Sequence, residues 1–509
     1  MSGISVLWPR STVGPDLGVD DDALADLNID QIITAIVAGD EYQLRPWFNR
    51  PVRCAQTVRY RQEVFADLTD ESVRTTFTDF AASMQNTREL LGRRARAQHP
   101  CQRQRWQLSA STEYLDAVTR LAQAVALLPL TSRALRRWRE YVTAYVAGPD
   151  FGRLVEDVRR VQRALDEVRY GVRIIERTLT VTPAGTAPDY SVLITDLFSR
   201  FGSAVPRPPR QRSEWDDLNQ MEEQVLDRVA ALHPAAFGQL AEFARRHEGF
   251  AHPAVLGFER EIWFYLTYLA FVRRVSGTTR SMCLPRIADP GASVHAEDAF
   301  DLALFTVRSR AETAVVCNGW RISDPERVLV VTGPNQGGKT TFARTVGQLF
   351  YFAALGCPVP ARTASLPLPD RLFTHFERAE QAVDPDGRLA EELVRIRRVL
   401  EMATAVSVIV LNESFSATST LDGLRISRDV LARIAERGSI GVWVTFFHEL
   451  ARGNPTTVSM VAATDPEDPA RRTFRIERRP PDGDSPAVGL AQHFGLTYDH
   501  ITARISACR

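Results

Sequence analysis

The stretch Arg327-Val328-Leu329-Val330-Val331-Thr332-Gly333-Pro334-Asn335-Gln336-Gly337-Gly338-Lys339-Thr340-Thr341 decides the fold. A short β-branched run ends in glycine, and a helical pattern opens at Thr340. Gly333 to Thr340 fits G-x-x-x-x-G-K-[ST] in full, with the strand before it and the helix after it that the pattern requires. The chemistry accounts for each residue type. Glycines let the backbone wrap phosphate oxygens with its N–H groups, and the helix start adds unpaired donors and a dipole. Gly333, Pro334, Asn335, Gln336, Gly337, Gly338, Lys339, Thr340 and Thr341 are expected to cradle the phosphates of ATP. Lys339 would neutralise the β- and γ-phosphates and the Thr340 hydroxyl would bind Mg²⁺. The alternative, a glycine-rich turn with no ligand, leaves the lysine unexplained.

That lysine stands alone. Of the 62 basic residues every other one is arginine. A planar guanidinium fork cannot replace a compact ammonium that must fit among phosphate oxygens and backbone amides.

Outward from this stretch, Ser407 to Glu413 (SVIVLNE) and Ile440 to Phe447 (IGVWVTFF) read as two further buried strands. Helical patterns at Arg388 to Thr404 and Leu424 to Arg437 separate them, so a mainly parallel sheet with helices on its faces is expected. SVIVLNE ends in polar residues at the place where a strand should present acids to the metal and the water. Glu413 is placed to orient or activate the attacking water. Asn412 stands where an aspartate usually holds the metal; it keeps an oxygen acceptor but loses the charge. Without the glycine-rich turn upstream, both would read as an ordinary polar strand end.

Residues 1–300 read as mostly helical. Segments with helical period are Val73 to Leu91, Glu113 to Leu128, Arg133 to Val146, Leu154 to Leu179, Glu214 to Leu232 and Pro234 to His247. In the fourth, Leu154, Val158, Val161, Leu165, Val168, Val172, Ile175 and Leu179 keep a heptad stripe. Gly171 and the β-branched residues after it suggest an earlier end. One helix of a bundle is favoured slightly over a long coiled-coil arm. Pro-rich loops are expected at residues 181–191 and 205–213, and a boundary near MCLPRIADPGAS (residues 282–293).

With 509 residues, more than one domain is expected. Acids and bases balance at 62 each, so charge as a whole points to no polyanionic partner. Six cysteines in no metal or redox spacing suit a reducing cytoplasm. The N-terminus lacks a basic region followed by an apolar run, so no signal peptide is expected. The longest apolar candidate, Ile262 to Val272, is too short to span a membrane and reads as a buried helix.

Residues 412–423, Asn412-Glu413-Ser414-Phe415-Ser416-Ala417-Thr418-Ser419-Thr420-Leu421-Asp422-Gly423, resemble the MutS signature D-E-x-G-R-G-T-S-T-x-D-G. VTGPNQGGKTT (residues 331–341) is similar to I-T-G-P-N-M-G-G-K-S-T. PVPARTASLPLPDRLFTHF (residues 358–376) and VTFFHEL (residues 444–450) match further family stretches in the same order, and Gly489-Leu490-Ala491 and Gly495-Leu496 extend the likeness. Upstream, residues 44–68 resemble the helical core of MutS proteins, where a W-x-x-x-P turn precedes a helix. The resemblance implies a fold of two parts. Residues 1–300 would form a mostly α-helical core and lever region. Residues 301–509 would form an α/β P-loop NTPase domain of the ABC-type ATPase kind. No G-F-x-E segment is present, and the core-like motif begins near residue 44. A short MutS-related ATPase without the mismatch-reading and connector domains is therefore expected.

Three residues depart from the family pattern. Asn412 replaces aspartate. Phe446 stands where the family has the first histidine of T-H-Y-H-E-L, while His448 matches the second. Gly387-Arg388-Leu389-Ala390-Glu391-Glu392-Leu393 stands where S-T-F-x-x-E-M offers a serine to the partner subunit's nucleotide. The resemblance implies a cytoplasmic homodimer that binds ATP and Mg²⁺. Lys339 and Glu413 would be the catalytic residues, Thr340, Asn412 and Glu413 would hold the metal, and Asp422 would lie near the dimer interface. DNA is the expected partner. Residues 92–106 (GRRARAQHPCQRQRW) and 206–212 (PRPPRQR) are the candidate phosphate-contacting stretches. Two rivals stay open: a scaffold that holds ATP and barely turns it over, and an ATP-switched protein with a non-DNA partner.

Overall fold

The computed structural model describes residues 4–9, 16–19, 22–39, 41–175, 178–185, 218–276, 281–289, 291–308, 315–377, 387–416, 418–465, 471–481 and 496–507. The basic stretch at 206–212, the start of the helical pattern at Glu214, and Gly489-Leu490-Ala491 with Gly495 lie outside them. The chain folds into two compact units. One comprises Met1–Leu68, Ser132–Ala134 and Arg260–Arg509, and the other Thr69–Thr131 and Leu135–Glu259.

The strands in chain order are β1 Gly18–Val19, β2 Tyr170–Ile175, β3 Thr178–Pro183, β4 Arg286–Ile287, β5 Val294–Ala299, β6 Asn318–Ile322 and β7 Val328–Thr332. They continue with β8 Thr363–Leu366, β9 Arg371–Phe376, β10 Val408–Asn412, β11 Ile440–Val444, β12 Thr457–Thr464 and β13 Arg472–Arg478. In the first unit a seven-stranded sheet has the order β1-β9-β10-β11-β7-β12-β13. Every neighbouring pair is parallel except the antiparallel β12–β13. A smaller four-stranded sheet runs β4-β8-β5-β6. The unit is thus mixed α/β with a parallel-rich sheet.

β7 and β10 are continuous apolar runs because both faces of the sheet are covered. The period of two divides their side chains. Val328, Val330, Ile409, Leu411 and Trp443 join a core with Ile396, Val399, Leu400, Val430, Leu431 and Ile434, which come from the helices Arg388–Met402 and Thr420–Arg437. The opposite face packs on the helix Lys339–Ala354, whose last eight residues are all buried.

Sequence patterning divides the chain at residue 300, whereas the fold groups residues 1–68 and 260–300 with the sheet. The cause is a set of buried polar ties. Arg61, 2% exposed, donates to the carbonyls of Leu7 at 3.2 Å and Leu355 at 3.0 Å. Tyr265 donates to Val6 O, Tyr268 to Pro358 O and Tyr351 to Phe48 O. Gln348 bonds both Leu27 O and Asp301. Residues 262–272 lie inside the helix Pro253–Ser276, and Ile262, Phe264, Tyr265 and Tyr268 are fully buried. No helix among the described residues is long and apolar enough to cross a membrane.

The second unit is helical. Glu71–Arg96 and Pro100–Leu127 pack along one another, and Pro149–Asp166 packs on Pro100–Leu127 and Pro234–Arg246. The heptad stripe is corrected here. Leu154, Val158 and Val161 are buried on a helix, but that helix stops at Asp166. Val172, Ile175 and Leu179 lie instead in the antiparallel hairpin β2–β3, with Val172 opposite Val181 and Ile175 opposite Thr178. Gly171 weakens the helix, and the β-branched residues that follow fit a pleated ribbon better. The helix expected over residues 113–128 starts earlier, at Pro100. Its first three turns are polar on most sides, so periodicity is silent there, yet Pro100 occupies its first turn, where the missing N–H costs nothing.

Candidate functional site

Because the central strands run parallel, β7, β10 and β11 all end at the same edge of the sheet, the edge at which such folds place their ligands. Residues 333–338 turn there. Gly333 has φ +120°, Gln336 +59° and Gly338 +92°. At Gly333 a Cβ would meet Ala462 Cβ at 2.9 Å, Ala462 N at 3.0 Å and Ala462 O at 3.1 Å. The neighbour is the backbone of β12, which cannot give way. Gly333→Ala is therefore expected to lower stability by about 1–3 kcal/mol and to disorder the loop. Urea unfolding measures this, and an unchanged midpoint would contradict the clash.

Gly338 caps the Lys339–Ala354 helix without a side-chain bond, so the first amides of that helix have no partner within it. Lys339 is 4% exposed. Its Nζ donates to Gly333 O at 2.8 Å, Pro334 O at 3.1 Å and Asn335 Oδ1 at 3.3 Å, which uses all three of its protons. The Phe446 ring lies over it, 5.2 Å from Nζ to centroid. Burial lowers the Lys339 pKa, the Glu413 carboxylate pulls it back up, and Arg472 pushes it down.

Thr340 Oγ1 donates to Asn412 Oδ1 at 2.9 Å. This bond ties the helix start to the end of β10. Glu413 follows in the left-handed region at φ +57°, and its N–H bonds Val444 O at 2.9 Å. Gln336, Lys339, Thr340 and Glu413 line an open cleft of about 220 Å³.

Part of its lining was not foreseen from sequence. It contains Val315, Val316, Asn318 and Phe474. Asn318 Nδ2 donates to Phe474 O at 3.1 Å, and Ile476 N–H donates to Asn318 Oδ1 at 2.7 Å. This amide clamp joins β6 to β13 across more than 150 residues of chain. It holds Phe474 at φ +58° with its ring near Gly338, next to an irregularity in the β12–β13 register. No local pattern signals such a pair.

The remaining family positions lie as follows. Ser419 caps the Thr420–Arg437 helix; its Oγ accepts from Asp422 N–H and donates to Asp422 Oδ2 at 2.7 Å, so this exposed carboxylate serves the cap. Gly387, at φ +74°, opens the Arg388–Met402 helix. His448 is half-buried in the short turn His448–Ala451. Residues 92–106 belong to the other unit, where they form the end of Glu71–Arg96 and the start of Pro100–Leu127. There Arg93 lies over Trp106 and Arg94 approaches Glu248. Among the described residues no group of three or more His, Cys, Asp or Glu could hold a metal ion.

Residues 329–471 match the family model of MutS domain V. That span contains the glycine-rich turn, Asn412, Glu413, Phe446 and the cap at Ser419. The C-terminal part of the chain is MutS-related. The DNA mismatch repair protein MutS 2 of Halobacterium salinarum is 35% identical over 145 residues, which is 28% of this chain and 17% of that protein. The DNA mismatch repair protein MutS of Brevibacillus brevis is 36% identical over 125 residues, 24% of this chain and 14% of that protein. The MutS protein of Granulibacter bethesdensis is 36% identical over 141 residues, 28% of this chain and 15% of that protein. The MutS-related segment thus covers less than a fifth of the length of these relatives.

Proposed function

We propose that this chain is a MutS-related, DNA-binding ATPase acting in DNA repair or recombination. One observation carries the reading. A buried lysine, a hydroxyl, an amide oxygen and a carboxylate converge under a glycine-rich loop at the C-terminal edge of a parallel sheet. This geometry, together with the strand order, supports a P-loop in an ABC-type NTPase domain within residues 301–509. Gly333 to Thr341 would hold the phosphates of ATP. Lys339 would exchange its three loop acceptors for phosphate oxygens, and Glu413 would position the attacking water. Mg²⁺ fits the donor set of Thr340, Asn412 and Glu413, because it accepts one or two carboxylates and completes its shell with water and phosphate. It would neutralise charge on the phosphates. The mostly helical region before residue 300 would grip DNA, and two copies would pair over the nucleotide.

The test is steady-state ATP hydrolysis by the full chain, alone and with duplex or branched DNA, at two salt concentrations. Turnover that DNA alters, with binding that weakens as salt rises, supports the reading. Turnover that neither DNA alters favours an ATP-switched protein with another partner.

Asn412 and Phe446 favour a second reading, a clamp that holds ATP and barely hydrolyses it. Thr340 and Asn412 form a neutral pair, so the metal would meet one carboxylate, that of Glu413. Asn412→Asp adds a charge at the Thr340 hydroxyl and is expected to raise the Mg²⁺ dependence of ATP affinity roughly tenfold. Nucleotide titrations with magnesium and with EDTA measure it. An equal ratio in both proteins would show that Asn412 does not face the metal.

A further inference from the structure

The turn that carries Glu413 is held from outside its own strand. Glu413 and Phe415 both adopt positive φ, +57° and +64°, although neither is glycine. Single left-handed residues of this kind persist only where their surroundings fix them. Three contacts fix these. The Phe415 ring is fully buried in the core beneath the sheet. Gly423, at the start of the next helix, lacks a Cβ where one would come within 3.0 Å of Phe415 O. Phe415 N–H, the amide two residues past Glu413, donates to Glu392 Oε2 at 2.8 Å. Glu392 is 6% exposed and sits in the second turn of the helix that begins after Gly387. Between the two strained residues, the Ser414 hydroxyl is buried without a hydrogen-bond partner. Besides the bond from Glu413 N–H to Val444 O, the bond from Phe415 N–H to Glu392 is therefore a polar restraint that reaches this turn from another helix.

We propose that Glu392 is a positioning residue for Glu413. Its carboxylate sets the backbone of the turn, and so makes the first turns of the Arg388–Met402 helix and the carboxylate at the cleft move together. A displacement of that helix at its Gly387 end then reaches Glu413 through the hydrogen bond to Phe415, while the phosphate loop, which is carried by β7 and the Lys339–Ala354 helix, stays in place. The inference rests on the ATPase reading given above and adds a route by which the surroundings of Gly387 regulate it.

The full chain is compared with E392Q, E392D and E392A in nucleotide titration, turnover, thermal midpoint and amide hydrogen exchange. E392Q offers an amide oxygen to the same N–H and is expected to keep kcat within about threefold of wild type. E392A leaves the amide unpaired, and E392D pulls the acceptor back by one methylene. Both are expected to lose kcat on the order of tenfold or more with ATP affinity nearly unchanged, because a small misplacement of a reacting group acts on turnover. Exchange over residues 413–416 should rise in the same two variants. E392D keeps the test open if E392A fails to fold.

A wild-type kcat in E392A or E392D, an E392Q as slow as E392A, or affinity that falls in step with kcat would overturn the proposal. If the wild type itself shows no turnover, the ATPase reading fails and hydrogen exchange decides this one. Faster exchange over residues 413–416 in E392A supports the hold on the turn, and unchanged exchange refutes it.

Discussion

Lys339→Ala is expected to weaken ATP binding roughly a hundredfold or more and to remove turnover with it, since charge-assisted hydrogen bonds contribute about 1.5–3 kcal/mol each. The buried ammonium has three donors, all committed to Gly333 O, Pro334 O and Asn335 Oδ1 in this conformation. Those oxygens mark where a ligand's oxygens would take over. Removing the ammonium deletes the positive charge closest to the phosphates and leaves the loop carbonyls facing one another. Lys339→Arg is expected to fail almost as badly, because a planar fork does not fit a site that is 4% exposed and roofed by Phe446. Being the chain's single lysine, Lys339 also offers a direct readout. An amine-selective acetylating reagent should modify it slowly, and more slowly still with ATP present. Nucleotide affinity that survives Lys339→Ala would remove the phosphate site from this loop.

Glu413→Gln is expected to do the opposite: ATP affinity is retained and turnover falls on the order of 10²–10⁴-fold, the usual worth of a positioned general base. The substitution preserves size and the backbone bond from residue 413 to Val444 O, so the turn should survive it. Titration and turnover measured on one preparation separate the two effects. If the wild type turns ATP over no faster than this variant, Glu413 performs no chemistry and the clamp reading replaces the ATPase. Asn412 and Phe446 make that outcome a real alternative. Where the metal would sit, the Thr340–Asn412 pair is neutral, and where the family places a histidine, an aromatic face covers the lysine.

Much of the α/β unit was readable from the chain. Strands buried on both faces show as unbroken apolar runs, and the observed Val328–Thr332, Val408–Asn412 and Ile440–Val444 lie within the stretches singled out by composition. The glycine-rich loop is legible because its glycines, its lysine and its threonine are adjacent in sequence. Periodicity failed where two structures share one pattern. Leu154 to Leu179 repeats every three or four residues throughout, yet only its first part is helix, since a spacing of apolar positions says nothing about how far the hydrogen-bond ladder runs.

Sequence alone therefore marked the strands and helices of the α/β unit, the glycine-rich loop, and the polar residues at the strand ends, because each is written in neighbours within a few positions. Tertiary structure alone decided the rest. It brought residues 1–68 back onto the sheet through Arg61, and it lined the cleft with Phe474, held by Asn318 from another sheet. It also placed Glu392 on the amide of Phe415. Those pairs are separated by 23 to 294 residues, and a hydrogen bond between distant segments leaves no local pattern for a sequence to display.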